Sequence, residues 1–112
     1  MDFDTLADAL KALADPTRLK IVALLTVREC CICELVPVFG ISQPAVSKHM
    51  SRLKASGLVH ERRQGMWVFY ALNRERLEAI GISLAHLPDM TDTLSRLAAE
   101  GLLVQCSVPL ME

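Results

Sequence analysis

The strongest constraint on the fold is a set of cap and turn signals that divide the apolar pattern into short segments. Asp15-Pro16 can start a helix, because Asp accepts hydrogen bonds from free N–H groups and proline fits a first helical turn. Ser42 is followed by a second such proline and can start another helix. Gly40 and Gly57 suit the positions just after a helix ends. These signals predict four short helices in the first half of the chain.

Apolar spacing then gives each predicted helix an inner face. The third of the four short helices runs over about Ile32 to Phe39, and two alternating runs around Gln64-Gly65 predict a hairpin. We predict the order αααα-ββ-αα in one domain over residues 1–112, mainly α with a β-hairpin. The strands are Leu58 to Arg63 and Met66 to Leu72, and the stripes are Phe3, Leu6, Leu10 and Leu13; Leu19, Val22 and Leu25; Val46, Met50 and Leu53; Leu77, Ile80, Leu84 and Leu87; and Leu94, Leu97, Ala98 and Gly101.

Composition excludes several classes of protein. Hydrophobic residues make up 52% of the chain and aromatic residues 4%, which excludes disorder and favours helices packed through aliphatic side chains. No apolar run reaches the ~18 residues that a membrane span needs, so we expect no membrane partner. The acidic, amphipathic N-terminus does not resemble an export signal, so we expect a cytoplasmic location, where thiols stay reduced. No Ser-His-Asp set, phosphate-binding glycine loop or paired carboxylates are visible, which argues against an enzyme.

Charge is distributed unevenly along the chain. The whole chain carries a formal charge of −1, yet the segment from Ser42 to Gly65 holds five basic side chains against the single acidic Glu61. A basic segment on an acidic body suggests a local contact with a polyanion, although a solvated charged face has the same pattern. The basic side chains are Lys48, Arg52, Lys54, Arg62 and Arg63.

The layout around this basic segment is that of a winged helix-turn-helix. Two short helices joined by the tight turn Phe39-Gly40-Ile41 precede the basic hairpin. The outward face of the second of these helices is small and polar, so it can enter a major groove about 12 Å wide. A structural hydrogen-bonding role is the alternative for the histidine of this helix. We predict that DNA is contacted by Gln43, Ser47, Lys48, His49, Arg52, Arg62 and Arg63, with Lys54 reaching a phosphate.

Three of the four cysteines lie within four positions, in the stretch ECCICEL over residues 29–35. Buried core residues, a disulfide and a site for a soft ion are all compatible with this spacing. In a regular helix side chains two apart point about 200° from each other, so Cys31 and Cys33 face the same side only in extended chain. Cys30 and Cys33 share a face only if the stretch is helical. All three thiols can therefore converge only if the helix start loosens, and we expect Arg28 and the helix N-terminus to favour thiolates.

Several segments resemble the ArsR/SmtB family of metal- and metalloid-responsive repressors. The opening signature is Asp15 to Ile21 (DPTRLKI), and Ser42 to Met50 (SQPAVSKHM) closely resembles the recognition segment. Arg62 to Gly65 and Tyr70 to Leu72 are similar to the wing, so the match covers about residues 5–73. The resemblance implies a homodimer that binds operator DNA, with N- and C-terminal helices forming the dimer interface. It also implies that the Cys-x-Cys at the start of the third helix binds As(III), Sb(III), Cd(II) or Pb(II).

The ligand set follows from this resemblance and from metal preferences. Three thiolates suit the three-coordinate As(III), whereas a tetrahedral zinc site would want a fourth ligand. We therefore expect a repressor that leaves its operator when As(III) or Sb(III) binds Cys31, Cys33 and Cys30, with Cys106 as the alternative third ligand. Two alternatives remain: a Cd(II) or Pb(II) sensor of the same fold, and a repressor switched by a Cys30–Cys33 disulfide.

Overall fold

The computed structural model describes residues 1–81 and 89–104, within which the chain forms six helices and one antiparallel hairpin. The predicted order αααα-ββ-αα is confirmed. None of the helices in this part of the chain is long and apolar enough to cross a bilayer. The predicted stripe residues Leu84 and Leu87 lie outside the described residues. The elements are α1 (Phe3–Leu13), α2 (Pro16–Leu25), α3 (Ile32–Phe39), α4 (Gln43–Ala55), β1 (Val59–Gln64), β2 (Trp67–Leu72), α5 (Arg74–Ala79) and α6 (Thr91–Ala99).

Local hydrogen bonds fix the ends of the helices that matter for the site. Asp15 Oδ2 accepts the Arg18 N–H at 2.9 Å at the start of α2. Ser42 Oγ accepts the Ala45 N–H at 3.2 Å at the start of α4. Gly40 ends α3 with a φ of +64°, a left-handed conformation that glycine adopts without a Cβ penalty. The sharp turn between α3 and α4 therefore follows from the cap residues that the sequence predicts.

The core holds α4 in place from its inner side. Val46, Met50 and Leu53 are fully buried, as the stripe on this helix predicts. They face α2, whose residues from Ile21 to Leu25 are all buried, and α4 also contacts α1, α3 and β1. Each fully buried side chain of this size contributes about 1.5–3 kcal/mol relative to exposure. The opposite face of α4 is left for solvent and for a partner.

The predicted inner face of α1 is partly wrong for a single chain. Phe3 is 90% exposed and Leu10 47% exposed, whereas Ala9 and Ala12 are fully buried. The small alanines face the core where α1 contacts α2 and α4. Phe3 and Leu10 therefore point away from the core. Leu19 on α2 was also predicted to face inward and is 38% exposed. One chain therefore leaves an apolar surface on α1 and α2 uncovered.

The hairpin carries a third backbone segment on its outer edge. Strands β1 and β2 pair from Val59↔Leu72 to Gln64↔Trp67, which places the turn one residue later than predicted. Cys30, which precedes α3, forms an antiparallel bridge to Tyr70 of β2. The Cys30 N–H donates to the Tyr70 carbonyl at 3.2 Å, and the Tyr70 N–H donates back at 2.8 Å. The cysteine-rich stretch is therefore attached directly to the hairpin, which we call the wing.

Candidate functional site

Cys31 and Cys33 lie side by side at the start of α3. Cys31 is the N-cap residue, with an extended backbone at φ −94° and ψ 163°, and Cys33 follows in the first turn. Because Cys31 precedes the helix, the angular conflict expected for two helical positions does not arise. The Cys31 side chain interacts with that of Cys33, and both residues line one cavity. The two residues of the predicted Cys-x-Cys therefore share one opening without any loosening of α3.

These two thiols open on a shallow cavity of about 310 Å³ between α3, α4 and the wing. Gln43, the first residue of α4, forms one part of its wall, and residues around the wing turn form another. The thiol cavity thus borders both elements that are predicted to contact DNA, α4 and the wing. Its lining residues are Cys31, Ile32, Cys33, Gln43, Met66, Trp67, Val68 and Tyr70.

Cys30 points the other way, into the hydrophobic core. It is fully buried, and its thiol donates to the Arg28 carbonyl at 3.6 Å. Consecutive side chains of an extended segment lie on opposite sides, which separates Cys30 from Cys31. Over residues 1–81 and 89–104, no three His, Cys, Asp or Glu side chains converge in a way that could hold a metal ion. Cys30 as third ligand therefore stays a prediction, and Cys106, the alternative, lies outside the described residues.

Burial keeps the two inner thiols protonated. Desolvation raises the pKa of Cys30 from 9.0 to about 12, and the charge of Glu34 acts in the same direction. Desolvation and then the hydrogen bond with Cys33 raise the pKa of Cys31. Arg28 acts to lower the pKa of Cys30, and the backbone N–H of Glu34 in the first turn of α3 acts to lower that of Cys31, as expected, but burial outweighs both effects. Arg28 Nη2 lies 3.4 Å from Glu34 Oε2, so the carboxylate compensates its charge.

Glu34 joins the start of α3 to the C-terminal segment. This carboxylate is 1% exposed, and its Oε1 accepts the Cys31 N–H at 2.9 Å. Its Oε2 accepts the Val104 N–H at 2.8 Å. Glu34 had no predicted role, although an acid three residues after an N-cap is a known capping pattern. The residue fixes the Cys31 backbone and thereby the start of the helix that carries Cys33.

The recognition face of α4 is open to solvent. Gln43, Lys48 and Arg52 are exposed, and Ser47 is half-buried. A broad depression of about 670 Å³ on this side of the helix is lined by Arg18, Ala45, Lys48, His49, Ser51, Arg52 and Ala55. Basic and small side chains therefore share one concave surface, which suits a polyanion.

His49 is engaged within the protein. Its Nδ1 lies 3.1 Å from Arg18 Nη1 and 3.8 Å from Asp15 Oδ2. The backbone N–H of Arg18 is also the main reason that the pKa of Asp15 is lowered. The histidine thus links the first turn of α2 to α4, in agreement with the structural alternative. A DNA contact by His49 stays a prediction.

The two adjacent arginines of the wing have different environments. Arg63 is exposed, whereas Arg62 binds the Glu29 carboxylate through Nε at 3.0 and 3.1 Å and through Nη2 at 2.8 Å. The Arg62 guanidinium also lies 5.1 Å from the centre of the Phe69 ring. Glu29 and Arg62 are 33 residues apart, so no local pattern could have predicted their pairing. A DNA contact by Arg62 stays a prediction, and its side chain now has an internal partner.

We predict that the free energy of unfolding falls as the pH rises from about 9 to 12. The folded chain keeps the Cys30 proton in this range and the unfolded chain loses it, so stability decreases with pH by up to about 1.4 kcal/mol per unit for this thiol. Urea titrations in reductant at pH 7.5 to 10.5 measure the slope. Cys30→Ala should reduce it, with the raised pKa of Cys31 supplying the remaining slope, and Cys33→Ala, at an exposed position, serves as the control. Equal slopes for the two variants would contradict the prediction.

Comparison with known proteins agrees with this architecture. The family model described as bacterial regulatory protein, arsR family, matches residues 15–61. The arsenical resistance operon repressor of Staphylococcus xylosus is 42% identical over 84 residues, which cover 75% of this chain and 81% of that protein. The arsenic resistance transcriptional regulator ArsR2 of Pseudomonas putida is 42% identical over 69 residues, or 61% of this chain and 60% of that protein. The match therefore spans less than two thirds of this second relative.

A solved structure supports the same assignment. The homodimeric winged helix-turn-helix DNA-binding domain of Mb0332 from Mycobacterium bovis superimposes with a TM-score of 0.64 and 26% identity, covering 88% of this chain and 84% of that domain. The winged helix-turn-helix fold predicted from the sequence is thereby confirmed. These relatives are regulators rather than enzymes. With helix caps, recognition segment and wing all in place, the chain belongs to the arsR family of bacterial regulatory proteins.

Proposed function

We propose that this protein is a DNA-binding repressor that releases its operator when As(III) or Sb(III) binds Cys31 and Cys33. The observation that carries the proposal is the shared cavity, in which the two thiols face Gln43 of α4 and Trp67 of the wing. A ligand bound there would press on both predicted DNA-reading elements at once. Two relatives named for arsenic or arsenical resistance support this class of inducer.

The exposed face of α4 is suited to read DNA in the major groove. Gln43 stands in the first turn, where an amide can bind an adenine edge, and Lys48 and Arg52 lie within reach of base edges or phosphates. The buried inner face anchors this helix to the core, so the reading face keeps a fixed orientation. In a two-fold dimer the two α4 helices would enter successive major grooves of an inverted repeat.

The protonated state of Cys31 favours a neutral inducer over a divalent cation. Arsenous acid condenses with a thiol so that an As–S bond replaces an As–O bond and the thiol proton leaves in a water molecule. No free proton is released, so a raised thiol pKa is no obstacle. Cd(II) or Pb(II) must instead displace a proton from each thiol to bind the thiolate. The raised pKa of Cys31 therefore adds a cost of proton removal to the binding of these cations at neutral pH.

The third ligand position is open to Cys30 or Cys106. Recruiting Cys30 would require it to leave the core and to break its backbone bridge with Tyr70. Cys106 follows two residues after Val104, whose N–H binds the carboxylate of Glu34. The Cys30–Cys33 disulfide has less support, because the thiol beside Cys33 is that of Cys31.

We also propose a homodimer formed by the N- and C-terminal helices. Phe3 and Leu10 present an uncovered apolar surface on α1, and such a surface on a small domain commonly marks an interface. On α6, Leu94 and Leu97 are buried while Ala98 is exposed, so its outer face is also available. The similar Mycobacterium bovis domain is described as homodimeric, which supports the same arrangement.

We expect Gln43→Ala to reduce the preference for an operator over random DNA by about 5- to 150-fold, the equivalent of one bidentate base contact. Arg63→Ala should weaken both complexes alike and lower the salt slope by about 1, as for a phosphate contact. Fluorescence anisotropy against a duplex selected from a random pool, at several salt concentrations, measures both effects. Equal losses on operator and random DNA would remove Gln43 from the base-reading residues.

Cys31→Ser and Cys33→Ser should each keep operator affinity and lose the release by As(III). Serine is a favourable N-cap residue, so Cys31→Ser leaves the start of α3 intact. Binding can be followed through the emission of Trp67, the single tryptophan of the chain, which lines the thiol cavity. Cys30→Ser and Cys106→Ser, made separately, identify the third ligand. A normal response to As(III) in the Cys31→Ser, Cys33→Ser double variant would refute the site.

The pH dependence of binding separates the classes of inducer. As(III) affinity should be nearly constant between about pH 6.5 and 8, whereas Cd(II) affinity should rise about tenfold per pH unit for each proton displaced. Titrations of both through Trp67 emission, in reductant, give the two slopes. A Cd(II) affinity that is independent of pH would contradict protonated thiols.

Release of DNA by peroxide, but not by As(III) in excess reductant, would replace this function with the disulfide switch.

We expect the protein to sediment as a dimer at micromolar concentration. Replacing Phe3 and Leu10 together by glutamate should give a monomer, because two charges would then enter the apolar interface. Lys11→Glu, on the same helix, serves as the control for added negative charge at an exposed position. A monomeric wild-type protein in analytical ultracentrifugation would contradict the homodimer.

A further inference from the structure

The thiol segment, residues 29–33, is fastened to the wing as well as to α3. Cys30 makes two backbone hydrogen bonds with Tyr70, at 2.8 and 3.2 Å. The segment therefore acts as a short third strand beside β2. A shift in the backbone at residues 30 and 31 would act on the wing directly, without passing through α4.

A side-chain clamp reinforces this attachment one residue earlier. Glu29 is 6% exposed and accepts three N–H···O contacts from Arg62, at 2.8 to 3.1 Å. Arg62 Nη1 also donates to Gln64 Oε1 at 2.9 Å, and its guanidinium stacks on Phe69. Charge-assisted bidentate pairs of this kind are strong and geometrically specific, and loss of one partner leaves a poorly solvated charge. The clamp therefore fixes β1 relative to the thiol segment.

We propose that Glu29 is a positioning residue that transmits occupancy of the thiol site to the wing through Arg62. Glu29 is separated from Cys31 by one residue, so a displacement of the bound thiols changes the angle at which its carboxylate meets the guanidinium. The wing then loses the position that supports DNA binding. This inference rests on the proposed function and adds the route by which the ligand acts.

Glu61, a glutamate on the wing, offers a matched control for a substitution of Glu29. Glu61 Oε1 lies 2.8 Å from Lys54 Nζ, so Glu61 is also one half of an ion pair on β1. It is exposed, and its carboxylate contacts Lys54 and, at 3.5 Å, the hydroxyl of Tyr70, whereas the hydrogen bonds of Tyr70 with the thiol segment are made by its backbone. Glu29→Gln and Glu61→Gln change the net charge equally, so a general electrostatic effect on DNA affinity is common to both.

The experiment measures the ratio of operator dissociation constants with and without saturating As(III). We expect Glu29→Gln to bind As(III) with an affinity within about threefold of wild type, while the ratio falls by at least about fivefold. Glu61→Gln should keep the wild-type ratio. Because coupling is reciprocal, operator DNA should weaken As(III) binding in wild type and in Glu61→Gln, but much less in Glu29→Gln. A merely structural role for Glu29 would not abolish this reciprocal effect.

An unchanged ratio in Glu29→Gln would overturn the inference. Wild-type protein that does not release DNA with As(III) would instead refute the proposed function, so the two failures are distinguishable. If circular dichroism shows that Glu29→Gln is unfolded, Arg62→Lys takes its place, because lysine keeps the charge but cannot form the bidentate contact. The same fall in the ratio is then expected, and a wild-type ratio in Arg62→Lys would overturn the inference.

Discussion

The backbone bridge between Cys30 and Tyr70 is the constraint on which the candidate site depends. It holds the residues before α3 in an extended conformation, so Cys30 enters the core and Cys31, which is also buried, lies on the opposite side of the segment, at the thiol cavity. The same bridge places Cys31 and Cys33 next to the wing and next to the first turn of α4, where Gln43 begins the helix predicted to read DNA. The thiols and the first of the residues predicted to read DNA therefore share one region of the molecule.

Two buried carboxylates near the thiols bind different parts of the chain. Glu34 ties the start of α3 to Arg28 and to Val104, while Glu29 reaches across to Arg62 on β1. Their negative charge and the low exposure of the site keep the inner thiols neutral. A divalent cation that bound thiolates at this site would first have to displace these protons.

The predicted DNA contacts fall into two groups in the folded chain. Gln43, Lys48, Arg52 and Arg63 are exposed on α4 and on the wing, as a reading surface requires. Partners within the protein hold the histidine of α4 and the first arginine of the wing, which connects these side chains to the helix caps and to the thiol segment. The protein thus uses part of its basic segment for internal connections that a charge count cannot distinguish from DNA contacts.

The sequence by itself determined the helices, the hairpin and the recognition segment, because caps, turns and apolar spacing act within a few residues. It also identified Cys31 and Cys33 as neighbours in the chain. Tertiary structure decided which face of α1 meets the core, since Ala9 and Ala12 fit closer to α2 than Phe3 could. It also decided which thiols face each other and which arginine is clamped, because those outcomes depend on contacts between segments more than thirty residues apart.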